Sequence, residues 1–459
     1  MKSKIWKVMV IVFAVALIAP AFSAVESVKV GGDITIYGVL RPNFEVYGSG
    51  ISDEKSQNFF QTSIRVYVTA DLTDNVQAMV RLINERAWGT KNTKSQDSVD
   101  FGGGSVPVIW DQNYDDKTTS VDLAYIKVTD LLTPGLTLTV GRQEIQLGEG
   151  LVVGSQYSAY NYNNDNSGTV NINGKDVLWW SESVSAPDLG LRKAFDAIRA
   201  DYEVATVPVV ITAMGVKASE SINGSSDTNV YGLNVGYKPD LYNLDVYYVR
   251  KDVLHTDENL DTAGLRVSGS IPAVEGLSLK LEYAKQFGED GSDSDYDGWA
   301  LLFGGSYEFP VDMKPVVRVA YNWFSGDDDS SGDHDEWQMV FPSNIGSRIG
   351  PVYYAVSANN DGLTKESNLQ VINLGLDIQP VEKVKLSLDG YWLQADEDIG
   401  STNEDDIGYE VDLGVNYQYT EDLSFGFTGG MLFTGDLFDT SGYDDDNPWQ
   451  LIASMKVAF

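Results

Sequence analysis

About eighteen stretches of this chain alternate apolar and polar residues with a period of two, the repeat of a β-strand whose successive side chains point to opposite faces. The last stretch is the clearest: Trp449, Leu451, Ala453, Met455, Val457 and Phe459 fall on one face, and Gln450, Ser454 and Lys456 on the other. By this pattern strands are expected at roughly 33–46, 57–72, 75–88, 120–130, 134–146, 194–204, 207–219, 229–239, 242–252, 259–271, 276–288, 298–309, 315–326, 368–379, 382–396, 408–419, 421–435 and 448–459. Their connections are short and long by turns. Leu72-Thr73-Asp74-Asn75, Lys238-Pro239-Asp240-Leu241, Gln379-Pro380-Val381-Glu382 and Tyr419-Thr420-Glu421-Asp422 are tight and rich in turn formers, and such turns recur at every second junction. The connections between them are longer, the longest being 89–119, 147–193 and 327–367. A soluble sandwich has no reason to order its loops in this way. A barrel that crosses a membrane does, with short turns at one end, long loops at the other, and lipid-facing residues alternating with water-facing ones.

The expected fold class is therefore all-β, a transmembrane antiparallel β-barrel of about 18 strands with both termini periplasmic. A barrel of that size encloses water rather than a packed core. With no separate plug domain ahead of the first strand, a constriction has to come from loops. Residues 147–193, with Trp179 and Trp180, are the candidate to fold inward; an external flap is the alternative. Tyr37, Tyr47, Tyr125, Tyr237, Tyr283, Tyr417 and Tyr419 fall near expected strand ends, where aromatic girdles sit at the two lipid interfaces. Strand propensity alone also favours tyrosine at such positions.

Residues 1–23 read as a secretory signal peptide: Lys2, Lys4 and Lys7, an apolar run from Val8 to Ala19, then Ala21-Phe22-Ser23 as a cleavage site. Residues 24–459 then form a single outer-membrane barrel domain. No later stretch approaches the roughly 20 apolar residues of a transmembrane helix. The chain has no cysteine, so neither disulfides nor thiolate metal sites are available. A net charge of −35 on the whole chain becomes −38 without the three leader lysines. Four windows, 289–297, 327–336, 396–406 and 436–446, hold 22 acidic residues and no Lys or Arg. Nucleic acid is thereby excluded as a partner, because a phosphate backbone needs cationic neutralisation. Clustered Asp beside Gly and Ser at 327–333 could hold Ca2+ loosely through oxygen ligands, without the ordered spacing of a calcium loop; no other cofactor is expected.

If apolar parity marks the lipid side, the opposite parity lists the lumen. Ile64, Val66 and Val68 outside put Arg65 inside; the same argument places Arg81, Arg199, Arg266 and Arg318 inside, with Arg41 less securely. Acids share the lumen at Glu85, Asp201, Glu282, Asp377, Asp389, Glu410 and Asp412, with Lys280 and Lys385. The arginines can brace the wall by pairing with these acids. As a set, they also offer an anionic solute successive weak sites, since guanidinium stays charged and its planar fork fits a carboxylate.

The run Val140-Gly141-Arg142-Gln143-Glu144-Ile145-Gln146-Leu147-Gly148-Glu149-Gly150 resembles the alginate-export family of outer-membrane barrels, whose members carry a GRQE strand end leading into a glycine-rich loop. Ala194-Phe195-Asp196-Ala197-Ile198-Arg199, Leu281-Glu282-Tyr283-Ala284-Lys285-Gln286-Phe287-Gly288, Tyr321-Asn322-Trp323-Phe324-Ser325-Gly326-Asp327 and Ile407-Gly408-Tyr409-Glu410-Val411-Asp412-Leu413 resemble further strands of that family, so the likeness covers nearly the whole mature chain. The resemblance implies an eighteen-strand porin-like barrel in the outer membrane of a Gram-negative bacterium. It also implies a passive channel, in the type member for an anionic polysaccharide guided by pore arginines. Arg142 and Arg199 stand on matching motif positions. The parity of Arg142 follows Leu138 and Val140, so placing it in the pore requires a bulge or a strand end above the membrane.

The expected function is passive diffusion of hydrophilic solutes, anionic sugars or polysaccharide among them, with Arg65, Arg81, Arg142, Arg199, Arg266 and Arg318 as pore-lining or solute-binding residues. The expected partners are outer-membrane lipid and lipopolysaccharide, small hydrophilic solutes, and the barrel-assembly machinery through the C-terminal strand ending at Phe459. A non-conducting structural or adhesive barrel is the alternative. An outer-membrane hydrolase is disfavoured, because His255 and His334 are the only histidines, both fall in expected external loops, and neither adjoins a convincing serine.

Overall fold

The structure, a computed structural model, describes residues 26–44, 56–88, 98–100, 105–107, 119–154, 169–172, 175–178, 187–219, 227–292, 294–328, 332–341, 349–359, 367–399, 404–439 and 446–459. The expected leader, Tyr47, Trp179 and Trp180 lie outside the described residues. Eighteen strands form one sheet. In chain order they are β1 (Ser27–Arg41), β2 (Gln57–Thr73), β3 (Val76–Ala87), β4 (Ser120–Val128), β5 (Leu136–Glu144), β6 (Ala194–Glu203), β7 (Val209–Ser219), β8 (Thr228–Tyr237), β9 (Tyr242–Val253), β10 (Glu258–Ser270), β11 (Leu277–Glu289), β12 (Trp299–Glu308), β13 (Val316–Phe324), β14 (Leu369–Val381), β15 (Val384–Gln394), β16 (Asp406–Gln418), β17 (Leu423–Thr434) and β18 (Trp449–Ala458). The expected strand count stands.

Each strand pairs antiparallel with the next, and β18 returns to β1, from Asp33 opposite Ala458 to Leu40 opposite Leu451. Closure leaves no strand edge, so every wall amide and carbonyl can be satisfied without water. Phe459 finishes the seam: its amide donates to the Gly32 carbonyl at 3.0 Å and its carbonyl accepts from Gly32 N at 2.9 Å. A methyl group on Gly32 would stand 2.5 Å from Arg65 O and 2.9 Å from the Phe459 ring, so the seam needs glycine there. β1 begins at Ser27 rather than 33, because Ser27 to Gly32 pair with Asp71 to Val66 while Gly31 and Gly32 blur the alternation. It stops at Arg41, before Pro42, which cannot donate to the ladder.

One end of the barrel carries the short turns, such as Asp74-Asn75 and Glu382-Lys383, together with Ser27 of β1 and Phe459; the other carries the long connections. Outward positions are apolar and exposed, as Ile372, Leu374 and Leu376 show on β14 and Tyr409, Val411 and Leu413 on β16. Aromatic contacts gather on this outer surface towards both ends. Trp299 packs edge-on to Trp323 at 4.6 Å, with Tyr283 and Tyr321 beside them, at the loop end. Tyr237 with Tyr242, and Tyr417 with Tyr419 and Phe425, lie at the turn end. Tyr37 and Tyr125 take no part in these girdles, because their parity is inward, shared with Arg41 on β1 and Lys127 on β4.

The inward face changes character along each strand, which the parity argument did not foresee. On β14 it runs Leu369, Val371, Asn373, Gly375, Asp377 from loop end to turn end; on β15 it runs Leu393, Tyr391, Asp389, Ser387, Lys385. The apolar ends belong to one buried cluster that includes Phe195, Val216, Val249, Phe324, Leu369, Leu393 and Leu432 from the wall. Leu147, Leu151, Val153, Trp337, Val352 and Val356 from the long connections complete it. Strands from opposite sides of a closed barrel can share a cluster only on its concave side. The loop end of the lumen is therefore packed with inward-folded chain, including helix α1 (Pro351–Asn359), which opens on a proline at the position that needs no amide.

The strands have 9 to 17 residues, against the roughly 9–11 that a tilted strand needs to cross the hydrocarbon. Leu374, 61 % exposed on the outer face, should therefore tolerate a charge poorly. Leu374→Arg is expected to cost about 2–4 kcal/mol of folding free energy in reversible unfolding from lipid vesicles. A change below roughly 0.5 kcal/mol would place that face away from acyl chains.

Candidate functional site

Three segments of the long connections are fixed to the inner wall, each by a charged wall side chain. The first follows the GRQE strand end. Gly141 has φ +118°, and a methyl there would stand 2.2 Å from Ala124 O. The Gln143 amide donates to the carbonyls of Thr139, Gly141 and Ala197, each at 3.2 Å, which pins the last wall residues before the chain turns into the lumen. Gly148, at φ +56°, lies against the Glu282 carboxylate, where a Cβ would come within 2.4 Å of Oε1. Glu282 accepts from the Glu149 amide at 2.8 Å and from the Tyr247 hydroxyl at 2.7 Å. The Glu149 carboxylate in turn accepts from Arg266 Nε and Lys280 Nζ, both at 2.8 Å. Burial alone would raise the Glu149 carboxyl, but the Lys280 ammonium and Arg266 guanidinium outweigh it and hold the group below its ordinary value. Leu151, Val152 and Val153 are buried, and Val152 O accepts from Phe341 N at 2.9 Å, joining this segment to the 327–367 connection.

The second segment, around residues 187–192, is held by fully buried Arg41 and by Glu85. Arg41 Nη1 donates to Asp188 Oδ1 at 3.2 Å, Nη2 also pairs with Asp188, Nε donates to Gln450 at 3.1 Å, and the guanidinium lies 4.9 Å over the Phe44 ring. Glu85 accepts from Leu191 N at 2.7 Å and Arg192 Nε at 3.1 Å. The third is α1, whose first amides lack intrahelical partners. Val352 N and Tyr353 N donate to buried Glu410 at 2.7 and 2.8 Å, so a wall carboxylate caps the positive end of the helix. Both described ends of the 147–193 connection thus fold inward. So does part of 327–367, which sequence reading did not anticipate.

Five of the expected arginines point into the lumen, and each is paired. Arg65 lies 2.9 Å from Asp33, directly across the β1–β2 ladder. Arg81 pairs with Asp122 at 2.5 Å and with Glu144; Arg199 with Asp201 at 2.8 Å; Arg266 with Asp245 at 3.3 Å besides Glu149. Arg318 reaches Asp377 at 2.6 Å and Asp389 at 3.0 Å. A methyl on Gly375 would come within 2.5 Å of Asp389 and 2.7 Å of the Arg318 guanidinium carbon, so glycine makes room for that bridge. Arg142 departs from the expectation. It stands opposite Ala124 and Asp196 in an unbroken register, its outward parity continues Leu138 and Val140, and it pairs with exposed Asp196 at 2.8 Å. No bulge turns it inward.

Towards the turn end the lumen stays open and polar. Arg199, Arg266, Lys127 and Lys238 line a cavity of about 540 Å³ together with Asp201 and Asp245. Arg318, Lys280, Ser270, Ser278 and Ser306 line another of about 470 Å³. A third of about 750 Å³ is bordered by Lys314, Lys385, Asp377, Asn416 and Thr428. An arginine-bearing, water-sized lumen beneath a loop constriction can pass hydrophilic solutes and hold carboxylates weakly.

The model of the alginate export family matches residues 45–447. The chain belongs to the alginate export family. Among curated proteins nothing matches it. Solved structures of Pseudomonas aeruginosa OpdO (TM-score 0.58, 10 % identity, 95 % of this chain and 98 % of that one) and OpdQ (0.57, 12 %, 95 % and 100 %) are similar in fold. So is Acinetobacter baumannii OccAB1 (0.54, 14 %, 96 % and 99 %). This member of the alginate export family is an outer-membrane channel, with lipid around its wall. The fixing residues Glu149, Asp188 and Tyr247 were missed in the sequence. The one available signal was an acid set between two glycines, Gly148-Glu149-Gly150, in a stretch, 145–164, with no other charged residue.

If Glu149 fastens the first segment, Glu149→Ala should raise single-channel conductance and its fluctuations in planar bilayers, with the barrel still folded. The group's pKa is depressed in the folded protein, so its contribution is present above the ordinary glutamate range and is lost as pH falls through the folded value. Acidification of the wild type through that lower, folded value should reproduce the Glu149→Ala trace, whereas Glu149→Ala should respond less to the same change.

Proposed function

We propose that this channel passes small hydrophilic solutes by diffusion and favours anionic sugars among them, the short-turn end with both termini facing the periplasm and the long connections facing outward. The observation that carries this reading is that Arg199, Arg266 and Arg318 border the open cavities of the turn-side lumen while remaining tied to carboxylates. A paired guanidinium has lost part of its attraction for a passing anion. Each such site therefore binds weakly enough to release, and several in series allow transit where one tight site would trap.

In this reading residues 1–23 direct export and are removed, and the C-terminal strand ending at Phe459 engages the barrel-assembly machinery. In this reading the chain is a passage and no catalytic role is assigned to its histidines: His255 is exposed in the β9–β10 connection, and the polar contacts of the His334 ring among the described residues are to Asp290 and Glu336. The acidic windows sit on the outward connections, where they repel anions at low salt and are screened beyond about 8 Å at physiological ionic strength.

Replacing Arg199 and Arg318 together by alanine is expected to lower anion-over-cation permeability by roughly two- to fivefold, equivalent to about 0.4–1 kcal/mol of weak charge contact. Reversal potentials across a salt gradient measure this, with uptake of uronates against neutral sugars into proteoliposomes as the companion assay. Arg142→Ala, outside the lumen, should change neither. Unaltered selectivity in the double variant would remove the arginines from the mechanism.

A further inference from the structure

Away from the lumen, the β13–β14 connection brings together Asp327, His334 and Glu336, whose ligand atoms all lie within 4.8 Å of one another, with Asp290 of the β11–β12 connection beside the imidazole. We propose that these three side chains form a site for a divalent transition-metal ion of the Zn2+ class, oriented by Asp290.

The backbone around the site is fixed. His334 N donates to Asp295 O at 2.8 Å and His334 O accepts from Asp297 N at 2.9 Å, so the imidazole is carried on a short bridge between the two connections. Its ring stacks on Tyr296 with centroids 5.1 Å apart and 26° between planes. Trp337 N donates to Ser325 O at 2.9 Å, and Ser325 Oγ donates to Asp335 O at 2.8 Å, which holds the Glu336 side of the site.

The two nitrogens of His334 are placed differently. Nε2 lies 3.3 Å from Asp290 Oδ2, and Nδ1 faces Glu336 Oε1 at 3.6 Å. If Asp290 accepts the Nε2 proton, Nδ1 presents its lone pair to the carboxylates. A carboxylate behind the imidazole is the usual partner of a metal-bound histidine, since it fixes the tautomer and raises ligand basicity. Glu336 Oε2 is buried and has no hydrogen-bond partner among the described residues. Two carboxylates and an imidazole lone pair converging on one point repel each other, and a cation converts that repulsion into bonds. Donors on one tetrahedral ion sit roughly 3.3 Å apart, so a contraction of a few tenths of an ångström suffices between His334 and Glu336.

The donor set decides the metal class. One imidazole nitrogen with two carboxylate oxygens suits Zn2+ or a neighbouring first-row ion, with water completing the shell, and disfavours Ca2+, which takes oxygen ligands in larger number. Asp327 is shared with Asp328 and Asp335, an all-oxygen group that states no such preference. A bound ion would close the β13–β14 connection on itself at the rim, with Asp290 of the β11–β12 connection held behind the imidazole.

The test is calorimetric titration of the full chain, purified without a histidine tag, folded in detergent and stripped of metal with chelator, against Zn2+ and separately Ca2+. Zn2+ should bind the wild type, and His334→Ala should weaken it at least tenfold. Asp290→Asn, which keeps the side-chain shape but not the charge behind the ring, should weaken it roughly tenfold. His255→Ala, the other histidine, should leave the affinity unchanged. With Cu2+ as a spectroscopic probe, nitrogen coupling should appear in the wild type and in His255→Ala and vanish in His334→Ala. That readout remains decisive if heats are small, and a heat-modifiable gel shift verifies that each variant is folded. Equal Zn2+ affinity in the wild type and His334→Ala, or Zn2+ and Ca2+ competing on equal terms, would reduce the cluster to loops that attract cations by charge alone and overturn the proposal.

Discussion

In hydrocarbon an unpaired amide or carbonyl costs several kcal/mol, and a sheet that crosses a bilayer can satisfy all of them only by closing on itself. The pairing of β18 with β1 is that closure, and the rest of the molecule depends on it. Once the sheet is closed, one parity of every strand faces acyl chains and the other faces an interior, so composition on each face follows from solvent rather than from packing. The seam also explains a local oddity of the sequence. Gly31 and Gly32 interrupt the alternation of β1 where Phe459 and Tyr67 crowd against it, and a side chain there would push the two strands apart.

A closed wall this wide leaves a space that must be filled by water or by protein, and here it is divided between them. At the loop end, apolar positions on the inward face pack with Leu151, Val153, Trp337 and α1 into a dry cluster; at the turn end the same face becomes Asp, Ser, Arg and Lys around open cavities. The inward segments are held by few strong points rather than by area alone. Glu282 takes the Glu149 amide, Glu410 takes the first amides of α1, and Arg41 takes Asp188. Each is a wall charge that would be costly to bury alone and is satisfied by the segment it holds. Plug and wall therefore stabilise each other, and the constriction is built into the charge balance of the barrel.

The same balance governs the pore arginines. None of the five inward ones stands without an acid beside it, so the wall is a sequence of dipolar pairs rather than a positively charged stripe. Such a wall presents both signs of charge side by side to whatever enters the lumen. The acidic connections at the rim are themselves structured where they meet, around His334 and Tyr296, and so do more than add negative charge.

The strand count, the two-ended ordering of turns and loops, the outward positions and the inward parity of Arg65, Arg81, Arg199, Arg266 and Arg318 were all legible in the sequence. A period-two pattern records which solvent each side chain meets, and that is a local property. Arg142 shows the limit from the other side: its parity already pointed outward, and only the family likeness placed it in the pore, whereas the unbroken ladder with β4 and β6 keeps it outside. The sequence did not contain the location of the plug in any local form. Leu369, Val371 and Ile372 are apolar on both parities, a trace of a buried inner face, but nothing near them names Trp337 or α1 as the partner. Contacts such as Glu149 with Glu282, or Asp290 with His334, join residues far apart in the chain. They exist because closure of the sheet brings those strands and connections around one space, so the wall follows from local alternation while the constriction, the cavities and the rim site were decided by the tertiary structure.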